Sequence, residues 1–390
     1  MTDTTTGEAP RVYGASVSYY TGKLEAYLRY KEIPYEFVAI APDQLGALAG
    51  ASQVPAVHLP DGRWMTDSTP IIDWYETQQP APPILPEDPA HAFLARLIED
   101  WADEWLWRPA MHYRWSYDPD RELLSRKLAH ELMPGFPLPG ALKRFMVRSR
   151  QKSIFVTGDG VSDENRAHVE GSYLRSLDLL SALFADRPYC FGSRPTLADI
   201  GLVGPMLRHF SHDPTPAVIM QNRAPAVWEW LARLWNARGS ELGEAPLDAE
   251  IPSAMQPLLQ EIVETHFATL RENAAAFARD AWRHDVLVQG VRYRDLPTSR
   301  YRVWCWEELH RHAAALTPDE RERVREHLPK HELSELVFAP PPRPSEVDTE
   351  RRAPFGGGLE VITSPESQPR HPFARFAKLA TRVAPGGDSR

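Results

Sequence analysis

Between residues 17 and 40 the chain reads VSYYTGKLEAYLRYKEIPYEFVAI, and four hydroxyls, Ser18, Tyr19, Tyr20 and Thr21, stand where a helical pattern begins. A hydroxyl at a helix start can donate a hydrogen bond to a thiolate, and the unpaired N–H groups there favour the same negative charge. Both effects lower a thiol pKa from its ordinary value of about 8.5, and a drop of about two units corresponds to roughly 2.7 kcal/mol. No cysteine precedes Cys190, so the sulfur would belong to a ligand. The bland alternative is an N-cap at Ser18 beside tyrosines that merely pack.

Two further stretches could hold such a ligand. In SQVPAV, Pro55 sits at the entry to a strand. If the Val54–Pro55 bond is cis, the backbone at Val54 faces outward like a strand edge awaiting a peptide; if trans, Pro55 is an ordinary strand-start proline. In TDSTPIIDW, Asp67, Ser68 and Thr69 precede Pro70. Capping alone explains those types, but the same helix start would also attract a carboxylate while Asp67 pairs with an ammonium. An amino-acid head group carries both charges. A third stretch, WADEWLWRPAMHYRWSYD, offers Trp107, Tyr113 and Trp115 as walls of an apolar or aromatic pocket or as core, with Trp101 and Trp105 read as core. His112 lies among them and reads as a structural hydrogen-bonding residue.

The elements that must position these groups follow from periodicity. Residues 11–15 suit a strand, and Leu24, Tyr27, Leu28 and Lys31 recur at helical spacing until Pro34. A strand over 35–40, a short helix over 42–49, a hairpin around PDG and a helix over 67–77 follow. This βαβ-α-ββα order predicts a mixed four-stranded sheet covered by helices. QQPAPPILPEDPA, with five prolines within residues 79–89, reads as a linker. Beyond it Leu94, Leu97, Ile98, Trp101 and Trp105 form one helical stripe, and Leu174, Leu177, Leu180 and Leu183 another. Thr196 and Asp199 form a capping box at a helix start, as do Thr317 and Glu320 around Pro318.

The expected divisions are an α/β domain over 10–79, a linker over 80–89, an all-α domain over 90–240, a further helical extension over 241–338 and a disordered tail over 339–390. The tail assignment rests on APPPRPSEVDTERRAPFGGG, which is poor in large apolar groups. Within it Phe373, Phe376, Ala377, Ala380 and Val383 fall at helical spacing, as a surface-docking helix would require.

Composition narrows the partners. With 390 residues, 43% hydrophobic and 25% charged, the chain can bury more than one core. A net charge of −9 argues against nucleic acid. No apolar run approaches the roughly 20 residues that span a bilayer, and the polar start lacks a signal-peptide pattern, which implies a cytoplasmic protein. Cys190 and Cys305 are too far apart for metal-ligand spacing, so no metal is expected.

VYGASVSYYTGKLEAYLRYKEIPYE, QVPAV, DSTPIIDWYE, FGSRPTLADIGL and RAPAVWEWLARLW together resemble, in order and spacing, the cytosolic glutathione transferases, over about residues 11–240. The resemblance implies a thioredoxin-like first domain, an all-helical second domain, usually a homodimer, and glutathione as co-substrate for attack on a small electrophile. It also implies that Ser18 is the thiolate-activating hydroxyl and Tyr19 its neighbour in the glutathione site. Gln53 and Val54 would flank the cysteinyl backbone, Pro55 would be the cis-proline, and Asp67 with Ser68 would hold the γ-glutamyl group. Two residues depart from the family pattern: Tyr19 stands where proline is common and Gly22 where a bulkier residue is frequent. Tyr19, Tyr20 and Thr21 therefore stay open as alternative donors to Ser18. The competing reading is a non-catalytic binding or scaffold protein that kept the fold, favoured by Tyr19 and the long extension.

Overall fold

The computed structural model describes residues 8–40, 42–50, 53–133 and 135–356. Arg11–Gly14 (β1), Tyr19–Tyr30 (α1), Glu36–Ala39 (β2), Pro42–Ala49 (α2), Ala56–His58 (β3), Trp64–Thr66 (β4) and Ser68–Gln78 (α3) follow the expected βαβ-α-ββα order. The sheet order is β2-β1-β3-β4, with β1 parallel to β2 and antiparallel to β3, and β3 antiparallel to β4. Register places Val12 opposite Val57 and Val57 opposite Met65. That fully buried row packs with Leu24, Tyr27 and Leu28 of α1 and Ile71 and Ile72 of α3. The opposite face is covered by α2, whose Leu45 meets Ile40 and Ala56. Each such aliphatic side chain contributes about 1.5–3 kcal/mol by leaving water.

The proline-rich stretch leads into the helical domain without losing contact with the body. Lys31 donates to the Pro82 carbonyl at 2.7 Å, and the Leu197 N–H donates to the carbonyl of buried Ile84 at 2.8 Å. The helices are Pro89–Glu104 (α4), Trp107–Ser116 (α5), Asp118–Leu132 (α6), Gly140–Lys152 (α7), Arg166–Leu183 (α8), Leu197–Pro205 (α9), Pro214–Arg223 (α10), Pro225–Asn236 (α11) and the short Gly239–Leu242 (α12). Helix α9 is buried along its whole length, and both arms of the Thr196–Asp199 capping box are formed. Buried Asp199 also accepts from Trp230 Nε1 at 3.1 Å, tying α9 to α11. The wide π turns Ser153–Thr157 and Met206–Phe210 interrupt this domain after α7 and α9.

The extension consists of Gln256–Ile262 (α13), Ala268–Ala278 (α14), Arg283–Val288 (β5), Val291–Pro297 (β6), Arg300–Ala315 (α15) and Pro318–His327 (α16). The Thr317–Glu320 capping box is formed with Pro318 in the first turn. The expected purely helical extension needs a correction, since β5 and β6 form an antiparallel hairpin. Its two-residue turn, Gln289 and Gly290, has φ of +48° and +79°, the left-handed pair that a right-twisted hairpin favours. Val286, Val288, Tyr293 and Leu296 of the hairpin join the same apolar core as both preceding domains. Helix α16 packs on α4, and α15 lies between α4 and α14.

The expected tail also begins later than residue 339. Residues 339–356 are packed on the body: buried Ser345 donates to Glu307 through its N–H at 2.7 Å and its hydroxyl at 2.5 Å. Arg343 pairs with Asp280 at 2.6 Å, and the Thr66 N–H of edge strand β4 donates to the Pro354 carbonyl at 3.0 Å. Composition missed this because the segment is held by polar and backbone bonds to other elements, with few large apolar groups of its own. The proposed helix around Phe373 lies outside the described residues.

Candidate active site

A cavity of about 520 Å³ opens where the α/β domain, the helical domain and the extension meet. Ser18, Tyr19 and Tyr20 line it, with Gln53, Val54, Pro55, Asp67 and Ser68 from the loops of the α/β domain. Three separate sequence stretches of the α/β domain therefore converge.

Ser18 is the N-cap of α1, with extended backbone (φ −77°, ψ 132°), and its Oγ accepts from the Thr21 N–H at 3.3 Å. Accepting that bond leaves its own O–H proton uncommitted, and among the described residues it donates to none. The neighbouring hydroxyls are differently placed. Tyr19 is 1% exposed and donates to the Ala102 carbonyl of α4, its ring wedged against Gly204, where a Cβ would come within 3.0 Å. Tyr20 donates to the Asp103 carbonyl at 3.1 Å. Burial, then the nearby carboxylates, pushes both phenols well above their ordinary range. The Thr21 hydroxyl is buried away from the cavity under Gly14, where a Cβ would sit 2.6 Å from it. Gly22 has its own local cause: the Arg208 side chain crosses it to reach the Ser16 carbonyl at 2.8 Å and the carboxylate of Glu25, and a Cβ would lie 2.2 Å from Arg208 Cγ.

The loop before α1 is pinned from the helical domain. Arg114 donates to the Val17 carbonyl at 2.9 Å and grips buried Asp213 with two bonds of 2.7 and 2.9 Å. Across the cavity the Val54–Pro55 bond is cis. At the start of α3, Asp67 has φ of +71° and its side chain does not cap the helix; instead Oδ2 accepts from the Tyr301 hydroxyl at 2.8 Å. Burial holds the Asp67 carboxyl above its ordinary range, against the opposing pull of that hydrogen bond and of Lys23. Thr69 points elsewhere, into a buried cluster in which Lys23 meets Thr69 at 2.8 Å, Asp103 at 2.5 Å and Glu99. Asp67, Asp103, Glu104 and Asp159 make this end of the cavity acidic, answered by Arg302, 3.4 Å from Glu104 and 3.6 Å from Asp159.

The other end is apolar. Trp107, half-buried, stacks on Tyr20 with centroids 5.6 Å apart, and Trp115, Met111, Leu128, Leu132 and Phe155 continue the wall. Tyr113 does not line it: it stacks on Tyr117 and meets Tyr173 and Phe210 in the core, whereas Trp115, itself fully buried, does line the cavity. Helical spacing could not separate the two, because Trp115 and Tyr113 lie two residues apart and point to different faces of α5. His112 is a structural group, held by Glu170 at 2.9 Å and Ser116 at 3.0 Å. His209, from the second π turn, lines the cavity beneath Tyr19 and Trp107 and is held well below its ordinary pKa by burial, hence neutral.

Sequence reasoning missed Pro297, Ser299, Tyr301 and Arg302, which bring the extension into the cavity wall. Their only local signal is Ser299 as the N-cap of α15, which locates a helix start and says nothing about where that helix docks. Among the described residues no cluster of His, Cys, Asp and Glu could hold a metal ion, and no helix is long and apolar enough to cross a membrane.

Residues 17–78 match the N-terminal domain model of glutathione S-transferases, and residues 163–233 match the C-terminal domain model. These two stretches of the chain carry the N- and C-terminal domains of the glutathione S-transferase family. The matches include every glutathione-contact residue expected from the sequence but neither the apolar wall on α5–α7 nor the extension. No curated protein matches this chain by sequence. Similar solved structures include a glutathione S-transferase of Methylobacterium radiotolerans in complex with glutathione sulfonate, 23% identical, covering 58% of this chain and 90% of that one with a TM-score of 0.37. The beta-etherase LigF of Sphingobium sp. strain SYK-6 is 20% identical, with 58% and 95% covered and a TM-score of 0.41. FzlA from C. crescentus is 15% identical, with 58% and 88% covered and a TM-score of 0.38.

Proposed function

We propose that this protein binds glutathione along Val54, stabilises its thiolate with the Ser18 hydroxyl, and directs it at an electrophilic carbon of an apolar or aromatic molecule held by Trp107 and Trp115. The thiolate forms the new C–S bond, and a leaving group departs with its electron pair or a π bond takes up the charge. Catalysis consists of orientation and thiolate stabilisation. Asp67 takes the γ-glutamyl ammonium, and the first turn of α3 at Ser68 takes the adjacent carboxylate. The observation that carries this reading is that Ser18 is the one hydroxyl of the four, among the described residues, that both lines the cavity and keeps its proton uncommitted.

The test is a calorimetric titration with glutathione of the wild type and Ser18→Ala, followed by thiolate absorbance against pH in each complex. The expected result is binding by both proteins, with the thiol pKa lowered by about two units only when Ser18 is present. An equally lowered thiol in both proteins would remove Ser18 from the mechanism. Failure of the wild type to bind glutathione would leave a transferase fold reused as a binding protein.

A further inference from the structure

We infer that the second substrate of this cavity is an anion, an aryl carboxylate whose ring lies on the apolar wall and whose carboxylate is bound by Arg150. The inference rests on the transferase reading of the site and adds the class of electrophile to it. Three arginines line the cavity, and two are spent. Arg114 is locked to Asp213 and the Val17 carbonyl, and Arg302 is placed between Glu104 and Asp159. Arg150, from α7, makes no ion pair and no side-chain hydrogen bond among the described residues. The chain has 53 acidic and 44 basic side chains, so carboxylates to pair with are not scarce.

The place of Arg150 explains what it could do. One turn earlier on the same helix, Val147, like Phe155 and Leu132, packs against the buried cluster that includes Val17, Met111, Trp115 and Leu128. Arg150 lines the cavity beside that wall and is itself exposed, so its guanidinium is open to a ligand. The protein around it lowers its affinity for a proton, with no carboxylate to offset that. A planar guanidinium in such a place presents paired N–H donors that a carboxylate satisfies bidentately, whereas a neutral aromatic leaves them to cavity water. The neighbouring Gln151 also lines the cavity and adds an amide. At the opposite end, Asp67, Asp103 and Glu104 repel an acid, so an aryl carboxylate is oriented with its charge toward α7 and its ring toward Ser18.

The experiment compares 4-chloro-3,5-dinitrobenzoate with neutral 1-chloro-2,4-dinitrobenzene. In each, the glutathione thiolate forms a C–S bond at the chlorine-bearing carbon and chloride leaves with the C–Cl electron pair. The readout is the ratio of kcat/KM for the acid to that for the neutral compound. Arg150→Met should lower that ratio at least tenfold and Arg150→Lys should restore part of it; an unchanged ratio overturns the inference. Calorimetry with glutathione and with its glycine-amide analogue separates the other carboxylate that Arg150 could meet. If Arg150→Met weakens glutathione tenfold and leaves the amide analogue alone, Arg150 holds the glycine carboxylate and the inference is overturned. If neither chloroarene reacts with the wild type, fluorescence titration with 8-anilinonaphthalene-1-sulfonate decides. Weaker binding by Arg150→Met then upholds the anion site while the transferase reading falls, and equal binding overturns the anion site.

Discussion

Tyr301→Phe isolates what the extension does for the proposed glutathione site. The substitution removes one hydroxyl, the donor 2.8 Å from Asp67 Oδ2, and leaves the ring in place. A hydrogen bond to a charged acceptor contributes about 1.5–3 kcal/mol, which is about a tenfold to hundredfold change in an equilibrium. Asp67 is already held above its ordinary range by burial, and Tyr301 is the largest influence acting in the opposite direction. A ligand ammonium pairs only with the ionised carboxylate. Affinity is therefore present above the pKa of Asp67 and lost as pH falls through it, and removing the hydroxyl moves that loss to higher pH. Calorimetric titration with glutathione across the acid range should show the acid limb of the Tyr301→Phe profile displaced upward. On that limb the variant should bind about tenfold to hundredfold more weakly than the wild type at the same pH, and Asp67→Asn should abolish the limb. An acid limb that stays in place in Tyr301→Phe would refute the reasoning, because the extension would then touch Asp67 without supporting its charge.

Two further outcomes follow from buried groups. Tyr19→Phe should lower stability by about 1 kcal/mol, since the Ala102 carbonyl loses its donor, while the thiol pKa in the glutathione complex stays as in the wild type. A raised thiol pKa in that variant would make Tyr19 the donor in place of Ser18. His284, 5% exposed in the hairpin, has its imidazole lowered to about 4 by burial and by Arg302, Arg279 and Arg108. Its folded value lies below the unfolded value of about 6.5, so its contribution is complete above 6.5 and lost as pH falls toward 4. From pH 7 to pH 5 that loss is about 2 kcal/mol, and denaturant unfolding of His284→Asn should show an acid destabilisation smaller by that amount. An equal loss in variant and wild type would refute it.

Much of the fold was legible because its signals are local. The alternation around Val12 and Val57, the helical recurrence of Leu24, Tyr27 and Leu28, and the capping boxes at Thr196 and Thr317 each need only neighbours in sequence to state their meaning. The hairpin was legible in principle from Gln289–Gly290 between alternating runs, and was overlooked because helical stripes on either side suggested one continuous class. Tyr113 and Trp115 were beyond reach: the same aromatic types two residues apart carry no information on which faces the cavity and which the core.

By itself the sequence determined the order of the elements, the grouping of Ser18, Val54, Pro55, Asp67 and Ser68 at the mouths of one sheet, and the resemblance to glutathione S-transferases. Only the tertiary structure decided which hydroxyl lines the cavity with its proton uncommitted. Donors at Tyr19 and Tyr20 are spent on carbonyls of α4, more than eighty residues away in the chain. It decided too that Tyr301 and Arg302, more than two hundred residues from Asp67, line the site, and that Arg150 lines the cavity without a partner among the described residues. Burial and hydrogen-bond satisfaction are properties of what surrounds a group in space, and a linear sequence specifies that surrounding only through the folded chain.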